Sequence, residues 1–279
     1  MPLHALDGWE TTRDALHSAA KIISAIRNLT LPRDPNHLHL AAKVTARGLS
    51  TDILPKGGEI QLDYQDGTFR LLKDGLFVLP LAGTSQRALL QNVISWLRQN
   101  GQFAGVENAD AKIAALLGEE NGVKLSIGAG DVNDDSPLMF DPAIAAGYAD
   151  AIDAIYGGIA RFRGHIQGYM TPIVAWSHGF DLSTLWFATD KATEAYPHLN
   201  FGFSPGSAGL PRPYLYAYAH PYVDALTPPM LPAPARWHTS GWTGIVAQYD
   251  EFRTEENVSA FVETLCEAMC RALLHRLKI

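Results

Sequence analysis

Six of the chain's ten histidines, His37, His39, His178, His198, His220 and His238, fall on or beside segments that read as strands. His37 and His39 are two residues apart, so on a strand both side chains point to one face. Two imidazoles on one side of a sheet can converge on a divalent metal ion, and His198 is the third candidate ligand. In V-A-W-S-H-G-F-D-L-S-T-L-W-F, residues 174–187, His178 and Asp181 bracket a turn between two apolar runs. A histidine with a carboxylate behind it can act as a general base near neutral pH. Arg47 stands before Gly48 as His178 stands before Gly179, among Val44, Ala46 and Leu49. A guanidinium in such a segment needs an anion: Asp52, Asp181 or Glu251 in the chain, or a ligand carboxylate or phosphate. Tyr214, Tyr216 and Tyr218 alternate, so they share one strand face. They either serve as core or, with Trp176, line an apolar pocket, and their hydroxyls suit a partly wet pocket better than a dry core.

Other motifs dissolve on inspection. Gly202-Phe203-Ser204-Pro205-Gly206 matches the spacing of a nucleophile elbow, which requires a helix after the serine. Here Pro205, Gly206, Gly209, Pro211 and Pro213 follow, and the segment reads as a strand running into a loop. Asp131-Val132-Asn133-Asp134-Asp135 imitates the start of a calcium loop, but Ser136 replaces the sixth-position glycine and Pro142 the twelfth-position glutamate. Gly128 and Gly130 lack the third glycine and the preceding strand of a dinucleotide fingerprint, and no P-loop is present. No nucleotide cofactor is expected. Cys266 and Cys270 sit four apart in a helical pattern and read as core, because no second cysteine pair completes a zinc motif.

Positioning these residues takes a folded chain, and the composition allows one. Of 279 residues, 47% are hydrophobic and 18% charged, which suits a soluble globular protein with a substantial core. The net charge of −7 argues against a nucleic-acid partner, which needs a basic face. No run reaches the roughly 18 apolar residues of a membrane span. The first residues, MPLHALDGWETTRD, lack the basic-then-apolar order of a signal peptide, so a cytoplasmic location is expected.

The first helix is predicted from Asp7, with Glu10 completing a capping box, to Leu31-Pro32. Strands follow over HLHLAAKVTARGL from His37, EIQLDY, TFRLLK and LFVLPL, with Gly-Gly and Asp-Gly turns between them. Thr84 is expected to cap a second helix closed by Gly101. A polar connector, 102–140, carries one short helix near AKIAALL. Asp141-Pro142 opens a third helix with a cap and a first-position proline. Strands return over TPIVAWS, FDLSTLWFA, HLNFGF, YLYAYAH and GIVAQY, before a last helix capped by Thr254. The order therefore repeats. We expect an α+β fold of two pseudo-symmetric α-β-β-β-β-α repeats, near 7–101 and 141–277. Mostly antiparallel sheet would be covered by helices in a single compact domain of residues 1–279.

W-E-x-T-R-D-x-L-H from Trp9, Asn36-His37, T-A-R-G-L-S-T at 45–51 and G-F-D-L-S at 179–183 resemble the DUF5996 family, an uncharacterised bacterial family. G-F-x-P-G around Gly202 and Y-A-Y-x-x-P around Tyr216 fit it as well. The resemblance implies one shared architecture and no known activity. Family members carry a histidine a few residues before the G/S-F-D-L segment, where this chain has Val174, so the resemblance implies that His178 is local to this branch.

Two functional expectations remain. One is an enzyme acting on a small, partly apolar, carboxylate-bearing molecule, with Arg47 as anchor, His178 and Asp181 as base, and Trp176, Tyr216 and Tyr218 lining the pocket. In a variant of it, His178 joins His37, His39 or His198 in holding a divalent metal. The other is a non-catalytic protein whose aromatic pocket takes a small ligand or partner.

Overall fold

A computed structural model of the chain describes residues 2–117, 134–221, 229–274 and 277. The chain divides into two compact units. The first holds Leu6–Ala149 and Ala175–Phe180. The second holds Met1–Ala5, Asp150–Val174 and Asp181–Ile279.

In the first unit α1 (Glu10–Thr30) is followed by β1 (Ala42–Thr45), β2 (Gly48–Ser50), β3 (Glu59–Asp63), β4 (Thr68–Leu72) and β5 (Leu76–Pro80), then α2 (Gln86–Gln99) and the short α3 (Ala109–Leu116). Each strand from β1 to β5 pairs antiparallel with the next, making a meander. The helical stripe of Leu16, Ala19, Ile23 and Ile26 on α1 is fully buried, as are Ile60, Leu62, Phe69 and Leu71 on the strands. Alternation explains β3 and β4: every second residue is apolar and buried, Ile60 and Leu62 on one and Phe69 and Leu71 on the other.

The second unit takes over within α4 (Pro142–His165). After it come β6 (Tyr169–Met170), β7 (Val174–Trp176), β8 (Asp181–Phe187), β9 (His198–Ser204), β10 (Tyr214–His220), β11 (Arg236–His238), β12 (Gly244–Gln248), α5 (Tyr249–Phe252) and α6 (Val258–Leu274). Within this unit β8, β9, β10 and β12 form an antiparallel meander, with β11 beyond β12 and β6 beside β8. Phe201, Phe203, Leu215, Ala217, Ile245 and Ala247 are wholly buried on one side of it. Phe201 packs on Phe162 of α4 with ring centres 4.7 Å apart, and Phe203 meets Tyr249 of α5 edge to face. Gly158 lets α6 close onto α4: a methyl there would overlap Val262 and the Ser259 carbonyl. Among the described residues no helix is long and apolar enough to cross a membrane.

The fold is α+β, and the strands of each meander pair antiparallel. Element order recurs along the chain. Helix, five strands and helix run from α1 to α2, and again from α4 to α6 if the short β6, β11 and α5 are set aside. Five strands, not four, arise because the long run from His37 is not one strand. The Asp34 carboxylate accepts from the Asn36 and Leu38 amides, and His37 adopts φ +57°. That turn delays β1 to Ala42, and a second turn at Ala46-Arg47 separates it from β2.

Two caps also differ. Ser85, not Thr84, caps α2 by accepting from the Ala88 amide. Thr254 lies in a turn, and Asn257 accepts from the Ala260 amide at the start of α6. The expected start of α1 moves to Glu10, without a side-chain cap. Asp141 does cap α4, accepting from the Ala143 and Ile144 amides. Gly128, Gly130 and Asp131–Asn133 lie outside the described residues.

Candidate functional site

On the side of the second-unit meander away from Phe201 and Phe203, alternation brings a different set of side chains to one face. Asp181 and Ser183 come from β8, His198, Asn200, Gly202 and Ser204 from β9, and Tyr214, Tyr216, Tyr218 and His220 from β10. An antiparallel sheet with helices on one face normally offers water such a polar face. Here Ser183, His198, Asn200, Ser204, Tyr214 and Tyr216 are all buried.

The register explains the central contact. Tyr216 stands opposite Gly202, which stands opposite Ser183. With no side chain at Gly202, the Tyr216 ring lies down across β9, and a methyl there would overlap its Cζ and hydroxyl. The hydroxyl thereby reaches β8 and donates to the Asp181 carboxylate at 2.5 Å. Burial first, and the Asp181 charge second, push the Tyr216 phenol well above its ordinary pKa. It therefore stays a proton donor and is no base at neutral pH.

One step along, Asn200 opposes Tyr218 and donates Nδ2–H to its hydroxyl at 2.8 Å. Asn200 is 8% exposed, and its Oδ1 is buried with no hydrogen-bond partner. Tyr216 and Tyr218 stack with planes 10° apart, and Trp242 stands edge-on to both, at 6.4 and 6.1 Å. At the end of the ladder His198 opposes His220, their rings stacked at 5.0 Å. The Tyr196 carbonyl accepts from His198 Nδ1 at 2.8 Å, which leaves Nε2 as an acceptor. Burial lowers the His198 pKa, so the neutral form prevails.

The other expected site residues are engaged differently. Arg47 donates through Nε to Asp63 at 2.6 Å and through Nη1 to Gln65 at 2.7 Å, and it pairs with Asp66 at 2.8 Å. Asp63 is 3% exposed and also meets Arg70 at 3.2 Å. Hydrogen bonding to Asp63 raises the Arg47 pKa. The anion that Arg47 needs is thus in its own unit, where the β1–β2 turn locks onto the β3–β4 turn. Asp52 pairs instead with Lys43, and Glu251 with Arg236.

His178 is exposed in the turn after β7, with the Trp176 ring 6.1 Å away. His37 and His39, expected on a strand, sit in the turn described above with rings 6.2 Å apart. His39 Nδ1 accepts from the Asp34 amide, which commits that nitrogen to the turn. Ser204 ends β9, and its hydroxyl accepts from the Gly206 amide. No helix follows it, as expected for a strand running into a loop.

Sequence reasoning missed Asn200, His17 and Phe180. His17 of α1 donates to the Ser177 carbonyl at 2.6 Å and stacks on Phe180 at 5.3 Å, planes 11° apart. Phe180 is 3% exposed, at φ +55°, among Tyr64 and Tyr148. A bulky residue in the left-handed region is a strained position that its surroundings must hold. The only sequence signal for it was the adjoining Gly179.

Among the described residues one further group of potential ligand atoms gathers, His165, Glu263 and Glu267 between α4 and α6. Arg161 pairs with Glu263 and Arg271 with Glu267, so the group is a surface ion-pair network.

Residues 1–275 match the model of a family of unknown function, DUF5996, and the chain belongs to that family. No curated protein and no solved structure matches it.

Proposed function

We propose that the tyrosine face of the second unit binds a small organic molecule with aromatic or apolar surface and at least one hydrogen-bond donor. The observation that carries this reading is the buried, unpartnered Oδ1 of Asn200 beside Tyr216, Tyr218 and Trp242. An orphaned buried acceptor costs roughly 1–3 kcal/mol, a penalty that a donor-bearing ligand would remove. Aromatic walls with a few polar groups are the usual lining of a ligand site. The binding reading is favoured over the catalytic one because the polar groups of the face are committed to one another. The Tyr216 phenol is held protonated by burial, Asp181 accepts from it, and His198 is oriented by a carbonyl. An arginine anchor for a carboxylate is not part of this reading, since Arg47 is neutralised by Asp63 and Asp66.

The test is a thermal-shift screen of small aromatic amines, amides and alcohols, followed by calorimetry on the hits. Compounds that bind this face should lose affinity for Asn200→Ala and Tyr218→Phe by at least about tenfold, the equivalent of one good polar contact. Hits that bind both variants as they bind the unmodified chain would refute the assignment.

A further inference from the structure

We propose that His198 and His220 form a two-imidazole chelate for a borderline divalent transition ion of the zinc, nickel or copper class. The two residues are directly opposite at the last pair of the β9–β10 ladder, so both side chains leave the same face as cross-strand neighbours. Their rings lie 5.0 Å apart with planes 23° from parallel. His198 is 5% exposed, and the Phe187 ring 5.7 Å away packs beside it.

A metal-ligating histidine characteristically donates its second ring N–H to a carbonyl or carboxylate, which fixes tautomer and orientation. His198 does this to the Tyr196 carbonyl at 2.8 Å and so holds its Nε2 lone pair ready. A metal takes the neutral imidazole, with its lone pair free, as the ligand. His220 is exposed and can turn its ring to meet the ion. Two imidazoles select zinc, nickel or copper over magnesium or calcium, which take oxygen ligands. Water would complete the coordination.

This inference goes beyond the reading of the tyrosine face and is tested without any organic compound. The full chain, stripped with a chelator, is titrated with nickel or zinc chloride at pH 7.5 by calorimetry and by thermal shift. One saturable equivalent with a rise in melting temperature is expected. His220→Gln alters an exposed residue, so its fold should survive, and it should weaken binding at least about tenfold. His165→Gln and the double variant His37→Gln/His39→Gln should bind as the unmodified chain does. Unchanged affinity in His220→Gln would overturn the proposal, as would uptake no greater than that of His198→Gln/His220→Gln.

Discussion

A single methyl added at Gly202 asks whether the Tyr216 ring is held across β9 by its bond to Asp181. In Gly202→Ala the new Cβ overlaps the Tyr216 ring and hydroxyl on one side and the Leu182 carbonyl on the other. The carbonyl sits in the β8–β9 ladder and yields only by straining that pairing, and the Tyr216 ring must leave as well. Overpacking costs about 1–3 kcal/mol and a lost hydrogen bond to a charged group about 1.5–3 kcal/mol, together roughly 2.5–6 kcal/mol. Against a total stability of about 5–15 kcal/mol this is a large fraction. Urea unfolding followed by circular dichroism and tryptophan fluorescence would measure it. In a Tyr216→Phe background the bond to Asp181 is already gone, and Gly202→Ala should then cost about 1.5–3 kcal/mol less. A Gly202→Ala protein within about 1 kcal/mol of the unmodified chain would refute the reasoning. So would an identical penalty in both backgrounds, which would mean that the hydroxyl bond contributes nothing.

Burial lowers the pKa of His17, His39 and His198, so below about pH 6.5 the unfolded chain takes up protons that the folded chain refuses. The stability from these neutral histidines is full above that pH and falls as pH drops through it. Urea midpoints flat from pH 7.5 to 5 would contradict this. Arg47 is 44% exposed, and Arg47→Ala should cost under about 1 kcal/mol. Asp63→Asn, at a buried carboxylate joined to two arginines, should cost roughly 1.5–3 kcal/mol, and the reverse order in denaturant melts would show that the network is misread. Cys266 and Cys270 are buried in α6, and desolvation pushes the Cys270 thiol up to about 12 and Cys266 higher still. Neither should react with Ellman's reagent until the chain is unfolded. When the α1–α2 and α4–α6 segments are overlaid, Arg47-Gly48 and His178-Gly179 should fall on equivalent turns, as a duplicated unit requires. Different strand connections at those two turns would count against it.

The β3–β4 pair was legible because alternation writes it directly, E-I-Q-L-D against T-F-R-L-L, whereas the pair β1–β2 was hidden in one long run. The turn at His37 was not legible, because its cause is side-chain capping by Asp34, which competes with an extended run that hydrophobicity alone favours. The candidate site was partly legible. Tyr214, Tyr216 and Tyr218 announce a shared face, but which residues they meet depends on register, and their β9 partners Ser204, Gly202 and Asn200 lie across a long loop in the sequence. Gly202 shows the difficulty. In sequence it reads only as part of a strand running into a loop, whereas its position opposite Tyr216 makes it the gap through which a tyrosine reaches an aspartate. Asp181 lies three residues from His178 in the chain, and the sequence alone pairs the two. Its partner in the described geometry is a tyrosine two strands across, since a residue that begins a strand is aimed by the pleat and not by its sequence neighbours. The same logic ties His198 to His220 rather than to His37 or His39: opposite places in one ladder bring two imidazoles together, whereas a spacing of two does so only if the strand exists.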